Sequence, residues 1–448
     1  MKNTGILFFP AFDWSLGETH PEREERLLYT QEQLFEEGIL DLPQIKQFAP
    51  GMAPLTKALL AQAVFPSPEH HDLDAHLIAA GSTLILGDAL AKGQIQNGFA
   101  LVRPPGHHAG ATVLGNRGFC TLNNEAILVN HLRAEYGYQR IAIVDTDVHH
   151  GDGTQDIFYH DPNVLFISLH QDGRTLYPGS GFVEEKGGPN AWGMNVDIPL
   201  PPGTGDEGIL YALEEWVLPR LQAFKPDIVI NSAGQDNHFT DPLASMNVSA
   251  RGYGRITERL KPDLAVLEGG YSIEDALPYV NLAILLALAG EDYSGVVEAK
   301  RPTRPEVPLS QIKPYIQELK REYDQVQANW LWRAEASLPG GYWAYIPRTI
   351  YYDTEGFQEM RYDRVRQCSH CGGTVYIESR RPPFHTRHAL VRVPFAACPE
   401  CRQAGYDLWE YLIGRMESVT FQDQPGNVVQ FWHISKGVKV FGPSDPRP

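Results

Sequence analysis

The stretch Ile141–Thr154, IAIVDTDVHHGDGT, sets Asp145, Asp147, His149, His150 and Asp152 directly behind an apolar run. Carboxylate and imidazole together are the donor set for zinc or a similar divalent cation. Residues two apart on an extended segment point to the same side, so Asp147 and His149 can converge on one point. A catalytic zinc has three protein ligands and an open position. The third is sought in the loop after Ile228–Ala233, where Asp241 is the first candidate and Asp236 its competitor. His107 and His108 follow the rigid turn Pro104-Pro105-Gly106. Imidazole exchanges protons near neutral pH, and two in tandem can divide base and acid work if their pKa values differ. Asp145 and Asp152 are the candidate orienting carboxylates. Tyr271 closes Glu268-Gly269-Gly270-Tyr271 and can donate to a developing oxyanion.

These residues need elements to hold them. The short apolar runs Phe99–Val102, Ile141–Val144, Val164–Ile167, Ile228–Ile230 and Leu264–Leu267 read as buried strands. Helix-like stretches such as Asn123–Glu135 and Glu207–Phe224 lie between them, an alternation that predicts an α/β domain with a mostly parallel sheet. Each run leads into a polar or glycine-rich cluster, and sites in such sheets form at the carboxyl ends of the strands.

The pattern fades after about residue 295. Glu298–Pro308, with three prolines, reads as a linker, and Gln311–Gln327 as an amphipathic helix. The expected division is a catalytic domain over 1–300, a linker and helix over 301–330, and a C-terminal domain over 331–448 that includes Trp330's neighbours Trp332 and Trp343. In that last part Cys368, Cys371, Cys398 and Cys401 form two C-x-x-C pairs separated by 26 residues. Such knuckles read as a closed, structural zinc site of four cysteines in a small zinc-ribbon-like domain, with a redox C-x-x-C as the other reading. The arginines of RRPPFHTRH between them are candidates for contact with an acidic partner or nucleic acid, or for simple solvation.

The chain has 448 residues, 43% of them hydrophobic and 21% charged, as in soluble globular proteins. Its net charge of -17 comes from residues before Arg304, the remainder being slightly basic. That acidity disfavours nucleic acid there and suits a cationic substrate or solubility alone. With no apolar run of membrane-spanning length and no signal-peptide pattern at the start, the expectation is a cytoplasmic protein.

RPPGHHAG, GFCTLNNEA, DTDVHHGDGTQDIFY, SLHQDGRTLYPGSG, QDNHFTDPL and LEGGY, with HPEREER at His20–Arg26, occur in an order that resembles the histone deacetylase-like amidohydrolases. The resemblance spans about residues 5 to 295, is nearest their class II branch, and implies the arginase/deacetylase fold. It implies a catalytic zinc on Asp147, His149 and Asp241, and His107 and His108 as general base and acid, oriented by Asp145 and Asp152. It also implies that Tyr271 polarises the acyl carbonyl. Gly118, Phe119 and Tyr177 would line the channel for an acylated amine, and Arg26 an internal channel. Asp145, Ser168 and Leu169 would line one potassium site, and Phe158, Asp161 and Val164 a second. Tyr177 departs from the usual phenylalanine by adding a hydroxyl. Gln235, Asn237 and His238 replace smaller or apolar residues, and no acidic residue in Pro242–Ala250 is available to select polyamines.

The activity expected is hydrolysis of acetyl or short acyl groups on lysine side chains of proteins or peptides. An amidohydrolase of acetylpolyamines or N-acylated metabolites is the second reading, and a silent acyl-binding scaffold the third. The intact ligands, histidines and Tyr271 weigh against the scaffold. The C-terminal extension is expected to cover the channel rim or to join two copies of the chain, and so to restrict substrates.

Overall fold

The computed structural model describes residues 3–327, 332–335, 338–383 and 386–441. Trp330, and Phe384 and His385 of the arginine-rich loop, lie outside the described residues. Ten strands precede the linker: β1 (Thr4–Phe9), β2 (Ile45–Phe48), β3 (Ala63–Val64), β4 (Asn97–Val102), β5 (Thr112–Val113), β6 (Ile141–Asp145), β7 (Val164–Gln171), β8 (Asn195–Leu200), β9 (Ile228–Ala233) and β10 (Leu264–Leu267). β3 pairs with β5 alone, and the other eight form one sheet in the order β2-β1-β4-β10-β9-β6-β7-β8. Every pairing in that sheet is parallel.

The five strands expected from apolar runs are all present, four of them side by side in the middle of the sheet as β4, β10, β9 and β6. Helices cover both faces, so these strands are buried throughout and carry no polar alternation. β6 has Ile141, Ala142, Ile143 and Val144 fully buried and ends on Asp145, opposite Ser168 of β7 and Ser232 of β9. Burying one such Val or Ile contributes about 1.5–3 kcal/mol. β8 sits at the sheet edge, which explains how it accommodates Pro199 and Asp197 and why its sequence hides it.

The helix Asn124–Tyr136 starts where Asn123 caps it by accepting from the Ala126 N–H at 2.8 Å. The stretch read as Glu207–Phe224 is helical over Asp206–Ala212 and Leu218–Phe224, with a wider turn over Leu213–Val217 between them. The linker helix runs Leu309–Gln325 and buries Ile312, Ile316, Leu319 and Tyr323, a single stripe, against the catalytic core. Among the described residues, no helix is long and apolar enough to cross a membrane.

The C-terminal part is larger than a ribbon. β11 (Arg333–Glu335), β12 (Trp343–Tyr352), β13 (Phe357–Arg366), β14 (Val375–Arg380), β15 (Arg387–Val393), β16 (Ser418–Asp423), β17 (Val428–His433) and β18 (Gly437–Phe441) form a second eight-stranded sheet in sequence order. All its pairs are antiparallel except β15–β16, which the helix Pro399–Leu412 connects. The cysteine pairs sit between β13 and β14 and at the start of that helix. Arg380 and Arg387 flank the arginine-rich loop, and both turn onto Glu378.

The two sheets are joined by apolar packing and by buried arginines. Val365, Val375, Ile377 and Leu390 share one core with Leu59, Leu60 and Ile157 of the catalytic domain. Arg361 is 1% exposed and grips Asp156 with both Nη atoms at 2.8 Å, while its Nε donates to Asp363 at 2.9 Å. Burial alone would raise the Asp156 carboxyl, but Arg361 holds it down at about 2. Arg392 donates to the Ile157 and Ala61 carbonyls, and Gln422 to that of Leu59.

Arg361→Ala leaves Asp156 and Asp363 with Arg348 alone, at 3.8 and 3.0 Å, and is expected to destabilise the protein by about 3 kcal/mol, measured by denaturant unfolding. The folded carboxyl lies below its ordinary 3.8, so the pair contributes fully above about that pH and loses its contribution as pH falls through about 2. The gap between wild type and variant should therefore narrow in acid. Equal stability at neutral pH would show that the fork is not what docks the second sheet.

Candidate active site

The residues singled out by type converge because the strands that carry them are neighbours. β4 delivers His107 and His108, β10 delivers Tyr271, β9 delivers Asp236 and Asp241, and β6 delivers Asp145, Asp147, His149 and Asp152. All of these are buried or nearly so.

Two imidazole–carboxylate pairs stand side by side, with ring centroids 4.1 Å apart. His107 Nδ1 lies 3.0 Å from Asp145, and His108 Nδ1 lies 2.8 Å from Asp152. Their environments push them in opposite directions. Burial opposes charge on His107, but Asp147 and Asp145 outweigh it and hold its pKa well above the ordinary value. Burial, helped by the charge on His107, takes His108 down to about 3 despite Asp152. Arg117 completes the second pair: it binds the Asp152 carboxylate and donates to the His108 carbonyl at 3.1 Å. Nothing in the sequence marks Arg117 for this role, which depends on the fold bringing two distant loops together.

Asp147, His149 and Asp236 place their ligand atoms within 4.8 Å of one another. His149 Nδ1 is 3.2 Å from Asp147 and 3.1 Å from Asp236. Asp241, the first choice from sequence, lies outside that 4.8 Å group, and its two oxygens accept from the Leu243 and Tyr271 N–H groups. It stands alongside: burial and the Asp236 charge push its carboxyl up to about 7. Three buried carboxylates thus surround one imidazole, an excess of negative charge that a divalent cation would neutralise. Gly269 is required here, since a Cβ would lie 2.1 Å from an Asp236 oxygen and 2.6 Å from one of Asp147. The donor set therefore fits zinc.

Phe119 packs edge-on against His20 and Tyr271, at 4.4 and 5.5 Å between centroids. Tyr177 faces His108 at 5.1 Å and His149 at 6.3 Å. Phe119 and Tyr177 thus each stand beside one side of the catalytic cluster. An opening of about 360 Å³ lies next to Tyr271, lined by His20, Arg23, Thr240, Pro242 and Asp275. Burial raises the Tyr271 phenol well above its ordinary value, so it stays protonated and able to donate. Arg26 lies 4.9 Å over that ring, pairs with Glu22, and donates to the Gly270 and Glu268 carbonyls. Glu268 in turn accepts from the Gly106 and His107 N–H groups, another contact invisible to sequence spacing.

His150 turns away to Ser180, Gln155 and Asp197. His238 bridges Thr240 and Glu298. Ser168 bonds His170, and Leu169 follows it on β7. The carbonyl of Phe158 accepts from Asp161, and that of Asp161 from Val164, while the Asp161 side chain pairs with Arg133. In the second sheet, the Cys368 sulfur is 3.7 Å from that of Cys371 and 3.8 Å from that of Cys398, and all four thiols lie within 4.8 Å of one another. A tetrahedron with Zn–S bonds near 2.3 Å has edges of about 3.8 Å, whereas a disulfide needs about 2.05 Å.

Comparison with known proteins agrees with this geometry. The histone deacetylase domain profile matches residues 61–288. A protein of Archaeoglobus fulgidus described as a probable deacetylase is 45% identical over 323 residues, covering 66% of this chain and 89% of its own length. The histone deacetylase-like amidohydrolase of Pseudomonas aeruginosa is 35% identical over 257 residues, 55% of this chain and 65% of that one. The crystal structure of the HDA15 HD domain superposes with a TM-score of 0.62 at 31% identity, covering 72% of this chain and 95% of that one. The chain belongs to the histone deacetylase family.

Proposed function

We propose that the chain is a zinc-dependent deacylase that removes acetyl or other short acyl groups from lysine side chains of proteins or peptides. The observation that carries this reading is the meeting of two oppositely tuned His–Asp pairs, an anionic ligand cluster and a buried phenol at the ends of four adjacent strands. Asp147, His149 and Asp241 would hold the catalytic zinc, with Asp236 orienting the His149 ring. Asp241 is preferred over Asp236 because it also carries the Tyr271 backbone, and so sits where the phenol must meet the acyl oxygen. When bound, zinc polarises the acyl carbonyl and acidifies a water.

The protein's own groups supply the rest. His108, neutral and tied to Asp152 through Nδ1, has Nε2 available to take a proton from the attacking water. His107, tied to Asp145 through Nδ1, is placed to give a proton to the departing amine. Tyr271 donates its O–H to the acyl oxygen as negative charge develops there. Phe119 and Tyr177 flank the slim aliphatic stem of lysine and exclude water from the reaction. Asp145, Ser168 and Leu169, and separately Phe158, Asp161 and Val164, are proposed to line two potassium sites. The Cys368–Cys371–Cys398–Cys401 cluster is proposed to hold a second zinc, a structural one, since four thiolates leave no open position.

Acetyl-lysine peptides should be turned over, with inhibition by a hydroxamate, and acetylpolyamines far more slowly; the reverse order would favour the small-molecule reading. Tyr271→Phe should lower kcat by a factor of about 10²–10³, the loss of one oxyanion donor. A near-normal rate in that variant would remove Tyr271 from the mechanism.

Zinc content separates the ligand assignments. Wild type should bind two zinc ions per chain, Cys398→Ser only the catalytic one, and Asp241→Asn only the structural one. Asp236→Asn should keep both, with the catalytic ion held about 10–100-fold more weakly. Loss of the catalytic ion in the Asp236 variant and its retention in the Asp241 variant would exchange the two roles.

A further inference from the structure

We propose that Asp353, on the turn between β12 and β13 of the C-terminal sheet, is a positioning residue for the acyl channel, clamping both aromatic walls through one carboxylate oxygen. Its Oδ1 accepts from the Gly118 N–H at 2.9 Å and from the Tyr177 hydroxyl at 3.2 Å. Gly118 precedes Phe119, one wall, and Tyr177 is the other. What the walls enclose rests on the deacylase reading; that one side chain of the appended domain bonds both does not.

The contact belongs to a continuous grip. The Tyr351 carbonyl accepts from Arg117 Nε at 3.1 Å, the Tyr352 hydroxyl from the Leu114 N–H at 3.3 Å, and Glu355 from the Asn116 N–H at 2.9 Å. Thr354 donates to the Asn116 side chain. From Leu114 to Gly118, the loop is thus bonded at Leu114, Asn116, Arg117 and Gly118 by the end of β12 and the turn after it.

The gripped segment needs holding. Gly118 and Phe119 have φ of +51° and +70°. Glycine is obligatory at the first, where a Cβ would lie 2.3 Å from the His108 ring. The second is uphill for any L side chain and persists only where its surroundings over-determine it. The Gly118 N–H bond to Asp353 anchors the backbone one peptide before that strained residue. On the other side, the half-buried Tyr177 hydroxyl adds a polar group to the wall, and a hydroxyl withdrawn from water is costly without a partner. Asp353 is that partner. The hydroxyl and the carboxylate therefore make sense together: the catalytic domain carries a tyrosine here because the appended domain brings an acceptor to meet it. The appended domain acts on selectivity through channel width rather than by contributing to the chemistry.

The test compares full-length wild type, Asp353→Ala, Asp353→Asn, Tyr177→Phe and the Asp353→Ala/Tyr177→Phe double variant. Each is assayed on acetyl-lysine and longer acyl-lysine peptides and for hydrogen exchange across residues 116–122. Asp353→Ala should lose about tenfold to a hundredfold in kcat/KM for acetyl-lysine, the scale of a small misplacement in a reacting site, and should relax the preference for acetyl over longer acyl groups. Asp353→Asn, which keeps an acceptor oxygen, should restore most of both. Tyr177→Phe should lose less than Asp353→Ala, and the double variant no more than Asp353→Ala, because the two groups share one bond. Exchange at Gly118 should accelerate in Asp353→Ala and reads the clamp even in a chain that turns over no acyl amine, so a failed clamp and a failed deacylase reading give different results. Unchanged exchange at Gly118, fully additive losses in the double variant, or a lowered Tm with unaltered acyl preference would each overturn the proposal.

Discussion

The structure is organised around negative charge held out of water at the ends of its central strands. Asp145, Asp147, Asp236 and Asp241 are all fully buried, and an isolated buried carboxylate costs several kcal/mol even after the surroundings relax. The compensation comes from backbone donors on other strands' loops. Gly269 donates to Asp147, Val148 to Asp236 and Tyr271 to Asp241. Each bond runs between two of the loops after β6, β9 and β10, so the same carboxylates that would bind a metal also fix the loops to one another. The metal site and the loop packing are one construction. This is why the phenol of Tyr271 is already placed: its own N–H is anchored on Asp241, beside the Asp147–His149–Asp236 group.

That dual use also explains the split between the two histidines. His107 lies on the side of Asp145 and Asp147 and takes charge from the cluster's field. His108 faces Asp152, whose charge is already drawn to Arg117, and it sits next to a charged neighbour. Two identical side chains, adjacent in sequence, acquire opposite proton affinities through which carboxylate after β6 each one meets and what else that carboxylate is paired with.

What was legible in the sequence follows from the range of each contact. The strands of the middle of the sheet could be read because burial on both faces leaves an unbroken apolar run. Asp147 and His149 could be singled out because they follow an apolar run directly, but they lie on the bend after β6 and not on an extended segment, so strand alternation is not what brings them together. Strands β2 and β8 were hidden by brevity, an edge position or an internal proline. Asp236 and Asp241 could not be separated by spacing alone, because both lie on one loop and only its three-dimensional course decides where each carboxylate points. Arg117 on Asp152, Glu268 under His107 and Asp353 on Gly118 were out of reach, since each joins loops set by the fold and not by the local pattern. The knuckle spacing revealed the cysteine cluster, but it could not foretell that the cluster closes one end of an eight-stranded sheet, whose strands are rich in charge.

Those charges are what gives the second sheet its position. Along β13, Glu359, Arg361, Asp363 and Val365 are buried on one face, toward the catalytic domain, while the residues between them are not. Side chains alternate strictly along a strand, so a slip of one residue would replace this face with Met360, Tyr362 and Arg364 and leave Asp156 without its fork. The apolar side chains of the same face resist such a slip, and the bidentate contacts add a directional penalty to it. The Arg361 fork therefore sets the register, and with the register it sets where the turn preceding β13 ends. Each residue along a strand advances by about 3.3 Å, so a one-residue error at Arg361 would carry Asp353 beyond hydrogen-bonding reach of Gly118 and Tyr177. The expense of burying an arginine between two acids is thus intelligible as a means of placing a distant turn against Gly118 and Tyr177.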